Sequence, residues 1–149
     1  MRNSKEGLAH QDLTELSFDL VVPQEYIDAN RHMNNARYLT AYEDARAAYF
    51  LEASGMTMEE AGREWRIMSV VYDLNMKFSG QLFEGDSVHV YTAAEPQRSF
   101  IRFHQRMARD GENVNQFNCR ICLIDETGKL IRTIPPHIKS LFDKINSEK

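Results

Sequence analysis

The stretch Asp28-Ala-Asn-Arg-His-Met-Asn-Asn-Ala-Arg-Tyr-Leu39 brings an acid, three amides and an imidazole into eight residues, immediately before an amphipathic segment. A helix starting there needs one side chain as its N-cap, to accept a hydrogen bond from the free N–H groups of its first turn. Asn34 or Asn35 can fill that role, which leaves Asp28, Asn30 and His32 near the positive end of the helix. A carboxylate, an amide and an imidazole beside free N–H donors are the components of a hydrolytic site. The same residues also make an ordinary polar turn with a capped helix, and spacing alone leaves both readings open.

The elements around this loop follow from periodicity. Leu13 to Val22 reads as a strand that Pro23 stops. Leu39, Tyr42, Ala45, Tyr49, Phe50 and Ala53 recur at helical spacing, predicting a helix from about Ala36 to Ala53 with Gly55 as its C-cap. Glu43 and Asp44 fall on other faces, in solvent or at a subunit contact. Thr57-Met-Glu-Glu60 is a capping box for a short second helix to about Trp65. Strands are expected at Met68–Phe78, Val88–Ala93, Phe100–Arg109, Val114–Asp125 and Leu130–Ile134, with the Asp110-Gly111 turn marking a hairpin. In the first of these, Met68, Val70, Tyr72, Leu74, Met76 and Phe78 share one face by alternation, as helix-packing core and partly as the wall of a pocket. A short helix is expected around Ile138–Asp143. The chain thus divides into a flexible N-terminus at 1–12, a single domain at 13–143 and a polar tail at 144–149.

Composition narrows the function classes. With 149 residues, 42% of them hydrophobic, the chain can bury the core of one globular domain. A net charge of −4 gives no electrostatic footprint for nucleic acid. No apolar run suits membrane insertion and no signal-peptide segment precedes Gln11, so a cytoplasmic protein is expected. Cys119 and Cys122 lie in a strand pattern, where residues three apart point to opposite faces; they make neither a redox pair nor a zinc site. The element order, without a Gly-rich phosphate loop, excludes a doubly wound nucleotide fold.

Together these features resemble the hotdog-fold thioesterases, an α+β fold in which an antiparallel sheet wraps one long central helix. Asp28, His32, Met33, Asn34, Asn35 and Tyr38 fall on the positions of the 4-hydroxybenzoyl-CoA-type and long-chain acyl-CoA thioesterases. Phe78-Ser-Gly-Gln-Leu-Phe-Glu-Gly-Asp86 resembles that family's strand-turn-strand segment. Asp28, Asn30 and His32 also match the Asp-x-Asn-x-His motif of acyl-carrier-protein thioesterases, where all three are assigned catalytic roles. Arg31 departs from the glycine common at its position in the simpler CoA thioesterases.

The resemblance implies hydrolysis of an acyl-CoA or acyl-carrier-protein thioester. Asp28 would be nucleophile or general base, Asn30 and His32 further catalytic residues, and helix N–H groups the oxyanion hole. Asn34, Asn35 and Tyr38 are candidate substrate contacts, although Asn34 and Asn35 suit capping and loop stapling better than chemistry. It further implies no cofactor beyond the coenzyme A of the substrate, no metal, and a homodimer or homotetramer completing the site. Arg98, Arg102 and Arg106 fit either CoA phosphates or a solvated strand face. A non-catalytic acyl-CoA-binding hotdog protein is the alternative from another class. An enoyl-CoA hydratase fits less well, because its Asp-x-Asn-Pro-x-His motif needs a Pro and a different His spacing.

Overall fold

The structure, a computed structural model, describes residues 12–148. Nearly all of the N-terminal stretch expected to be flexible lies outside the described residues. In order, the elements are β1 (Leu16–Val21), α1 (Asn35–Ser54), α2 (Met58–Trp65), β2 (Ile67–Phe78), β3 (Ser87–Pro96), β4 (Ile101–Arg109), β5 (Glu112–Asp125) and α3 (Pro136–Ser147). The five strands form one antiparallel sheet in the order β1-β3-β4-β5-β2. Among the described residues no helix is long and apolar enough to cross a membrane.

The sheet curves around α1. Tyr38, Ala41, Tyr42, Ala45 and Tyr49 are buried along one side of the helix, and the two alanines let it approach the sheet closely. Tyr42 stacks on Phe117 of β5 with ring centroids 4.7 Å apart. Tyr49 meets Phe103 of β4 edge-on and stacks on Phe142 of α3. Polar bonds inside this apolar layer fix the rotation of α1. The Tyr42 hydroxyl donates to Asn115 Oδ1 at 2.8 Å, while Gln105 Nε2 donates to the Tyr42 carbonyl and to Thr92 Oγ1. Such bonds are strongly specifying, because an unpaired polar group here costs about 1–3 kcal/mol.

β2 departs from simple alternation. Its register against β5 shifts between Val71 and Asp73, a β-bulge at Tyr72. Before the bulge Val71 lies opposite Ile121; beyond it Leu74, Met76 and Phe78 lie opposite Cys119, Phe117 and Asn115. The extra residue turns Met68 and Val70 to the outer face, away from Leu74, Met76 and Phe78. The single apolar face expected along this strand is therefore split, and Met68 and Tyr72 are exposed rather than core. Cys119 and Cys122 are both buried and unpaired, on opposite faces as expected.

Two further differences concern the C-terminal part. Leu130–Ile134 makes no strand; Leu130 forms only an isolated bridge with Ile124, and the segment runs on into Pro135. α3 extends to Ser147, four residues past the expected end, because Ile145 and Asn146 are buried. Asn146 Oδ1 accepts from the Thr14 N–H at 3.0 Å and its amide donates to the Ala94 carbonyl at 2.9 Å, tying α3 to β3 and to the chain before β1.

Candidate active site

Asp28 occupies the tip of a tight hairpin. Ile27 and Met33 pair as an isolated bridge, and the Arg31 N–H donates to the Asp28 carbonyl at 3.0 Å, closing a four-residue turn. Arg31 ends the turn in the left-handed region, φ 69°, as a type I turn followed by a left-handed residue requires. Glycine adopts that geometry freely, whereas an L side chain there costs about 1–2 kcal/mol.

The carboxylate is held from two sides. Oδ1 accepts from the Asn30 N–H at 2.9 Å, and Oδ2 lies 3.4 Å from the Asn34 amide. Asn34 is also the N-cap of α1, its Oδ1 accepting from the Ala36 N–H at 2.9 Å. One amide therefore couples the acid to the helix start. Asn34 takes the Ala36 N–H with its side chain and the Arg37 N–H with its carbonyl. The Asn35 N–H is left with no acceptor among the described residues, at the positive end of a 20-residue helix.

The hairpin is clamped by the segment joining β2 to β3. Met33 and Leu82 are fully buried, and the Met33 N–H donates to the Leu82 carbonyl at 2.7 Å. Burial pushes the Tyr38 hydroxyl, at the start of α1, above the usual phenol range. Arg109 donates to the Gln81 carbonyl and to Asp86 Oδ2, and Asp86 accepts in turn from the Phe83 N–H. The resemblance had marked this segment without assigning it a task; it anchors the Asp28 loop.

The structure thus joins Asp28 and Asn34 directly and places the others around them. Asn30 contributes its backbone N–H to Asp28, while its side chain is exposed. His32 is half-buried, with Nδ1 3.4 Å from the Met33 carbonyl rather than on Asp28. Asn35 is the exposed first residue of α1, and Tyr38 is a core side chain packed edge-on against Phe78. Arg106 belongs to the outer sheet face, where it forks onto Glu15 and covers the Tyr91 ring. Among the described residues no three His, Cys, Asp or Glu side chains could hold a metal ion.

A cavity of about 820 Å3 opens under the C-terminal half of α1, between that helix, α2, α3 and the sheet. Phe50, Trp65, Phe103 and Phe142 give it an apolar wall, Ser69 of β2 lies at its open edge, and Arg46 enters from α1. At 1.5 Å per residue, Arg46 lies about 16 Å along α1 from Asn35, well away from Asp28 of the same chain. Sequence reasoning missed Arg46, because a lone arginine on a helix carries no signal of burial.

The chain matches the model of the thioesterase-like superfamily over residues 21–142. Comparison with curated proteins gives no match. Among solved structures it is similar to the DHNA-CoA thioesterase of Staphylococcus aureus, at 22% identity and TM-score 0.78 over 89% of this chain and 91% of that one. A 1,4-dihydroxy-2-naphthoyl-CoA thioesterase from Synechocystis gives 9% identity and TM-score 0.79, covering 89% and 98% of the two chains. A Staphylococcus aureus protein solved in complex with CoA gives 14% and 0.81, covering 92% and 87%. At these identities the structures establish the shared fold, and the match across 21–142 establishes kinship: this chain belongs to the hotdog-fold thioesterase-like superfamily.

Proposed function

We propose that the chain hydrolyses an acyl thioester, of coenzyme A or of an acyl-carrier protein, with Asp28 as the reacting carboxylate. The observation that carries this reading is the Asp28–Asn34 link, which fixes a carboxylate beside the start of α1. Asp28 either attacks the thioester carbonyl, giving a mixed anhydride that water opens, or takes the proton of an attacking water. In both routes the carbonyl oxygen gains negative charge and the thiolate leaves with the C–S electron pair. The Asn35 N–H is the donor available to that oxygen, a contribution of roughly 3 kcal/mol. With Nδ1–H turned to the Met33 carbonyl, His32 would present Nε2 as an acceptor that orients water. Asn30 fixes the turn that aims the carboxylate.

The site is completed by a second copy of the chain. β2 is an edge strand of the sheet, with Met68, Val70, Val71, Tyr72, Leu74 and Phe78 exposed on its two faces, an edge that a two-fold partner strand would cover. Antiparallel pairing of β2 with itself sets the Phe78 end of one strand beside the Ile67 end of the other. Phe78 packs on Tyr38 at the start of α1, while Ile67 and Ser69 line the cavity. Each Asp28 then faces the cavity of the partner, which supplies the acyl pocket.

Release of free thiol from benzoyl-, octanoyl- and palmitoyl-CoA, followed with a thiol reagent, tests the reading. Turnover of at least one of them well above the uncatalysed rate is expected. Tight binding of all three without thiol release would assign the chain to acyl-CoA binding instead.

A further inference from the structure

The cavity is apolar along most of its wall, with Glu43, Glu59, Arg63 and Ser69 exposed around its rim and Arg46 as its half-buried charged residue. Arg46 reaches into it from α1, half-buried, with Nη1 donating to Gln105 Oε1 at 2.9 Å and the guanidinium 5.4 Å from the centre of the Phe117 ring. Both partners are uncharged. Among the described residues no carboxylate lies within ion-pair distance of Arg46; Glu43, one turn earlier on the same helix, is exposed, and Glu59 and Arg63 also stand at the rim in solvent. A guanidinium offers five N–H donors, of which one is used here. The others make no hydrogen bond to another side chain or carbonyl among the described residues, and Arg46 itself is part of the cavity lining.

A partly buried cation is costly unless it is paired, and the nearest opposing charge, the exposed Glu43 one turn away, acts on Arg46 only across a distance. Burial indeed disfavours the charged form of Arg46, yet a guanidinium stays protonated, so the charge persists. Gln105 is in turn bound to the Tyr42 carbonyl and to Thr92, and this buried chain of hydrogen bonds fixes where the guanidinium points. Arg46 thus presents a cation of fixed orientation on the wall of a largely apolar chamber, ready for an acceptor oxygen. In the dimer reading an acyl group enters beside Ser69, at the edge near the partner's reacting carboxylate. Its far end then arrives at Arg46.

We infer that the preferred substrates carry an acyl group apolar along its length and ending in an anionic oxygen, which the Arg46 guanidinium receives. The inference rests on the thioesterase reading for the identity of the ligand and adds the substrate class. Two apolar walls and one terminal cation select against both a short polar acyl group and a plain alkyl chain. The plain chain would leave the guanidinium desolvated and unpaired, the asymmetry that makes polar pockets discriminating.

The test compares octanoyl-CoA with its ω-carboxylated counterpart, by binding and by turnover. Trp65, the single tryptophan of the chain, lines the cavity and reports occupancy by fluorescence. In an Asp28→Asn variant, which removes the reacting carboxylate, the ω-carboxyl thioester is expected to bind at least tenfold more tightly than octanoyl-CoA. Arg46→Met should abolish that difference and Arg46→Lys should keep part of it. Equal binding of the two thioesters, or a preference that survives Arg46→Met, overturns the inference. Because binding is read without turnover, failure of the hydrolytic reading shows separately, as absence of thiol release by the wild type.

Discussion

Asn34 serves two functions with one side chain, and its two bonds can be separated. Asn34→Ser keeps a good N-cap for the Ala36 N–H but is too short to reach Asp28. We expect stability within about 0.5 kcal/mol of wild type, with kcat reduced about tenfold by the loss of the amide contact to the reacting carboxylate. Asn34→Ala should lose about 1 kcal/mol of stability in addition. Urea unfolding beside steady-state thiol release distinguishes the two effects. Arg31 offers the opposite case. Its left-handed backbone makes Arg31→Gly stabilising by about 1 kcal/mol, seen as a rise in Tm, since relief of the Cβ clash outweighs the added freedom of the unfolded chain. A fall in Tm would show that the Arg31 side chain contributes more than its backbone costs.

At the scale of elements, α3 and β2 carry the corrections. Truncation after Asp143 removes the buried Ile145 and the Asn146 bonds to Thr14 and Ala94. The expected loss is about 3 kcal/mol, from roughly 2 for the apolar side chain and about 1 for the hydrogen bonds, measured by chemical denaturation. Retention of full stability would mean that α3 ends functionally at Asp143. Local signals were strong where one residue type dictates one geometry: the asparagine cap of α1, Gly55 with φ 74° at its end, and the Thr57–Glu60 capping box all appear as the sequence indicates. The bulge at Tyr72 was not legible, because an inserted residue changes the facing of a strand without interrupting its apolar composition. For the same reason the continuation of α3 was missed, since its last turn is stabilised by tertiary burial of Asn146 rather than by any local pattern. In the site, Asp28 and the capping asparagines were readable from residue types, whereas the Leu82 clamp and the exposure of the Asn30 side chain depend on how distant segments dock.

For the whole molecule, the edge strand makes the assembly testable. The chain should run in solution at twice its 17.3 kDa mass, or at a multiple of that, by light scattering. Val70→Lys with Leu74→Lys places like charges along the proposed contact and should shift it towards the monomer, with loss of turnover because each site needs its partner's cavity. A wild type that is monomeric and active would remove the shared-site arrangement. The hydrolytic account itself depends on the Asp28 carboxylate, and the most direct measurement is kcat for thiol release by Asp28→Asn beside wild type, on the best acyl-CoA substrate. The substitution is nearly isosteric and retains an acceptor for the Asn30 N–H, so the hairpin is kept. The account predicts a fall in kcat of at least a hundredfold with Tm nearly unchanged; turnover undiminished by the substitution would contradict it.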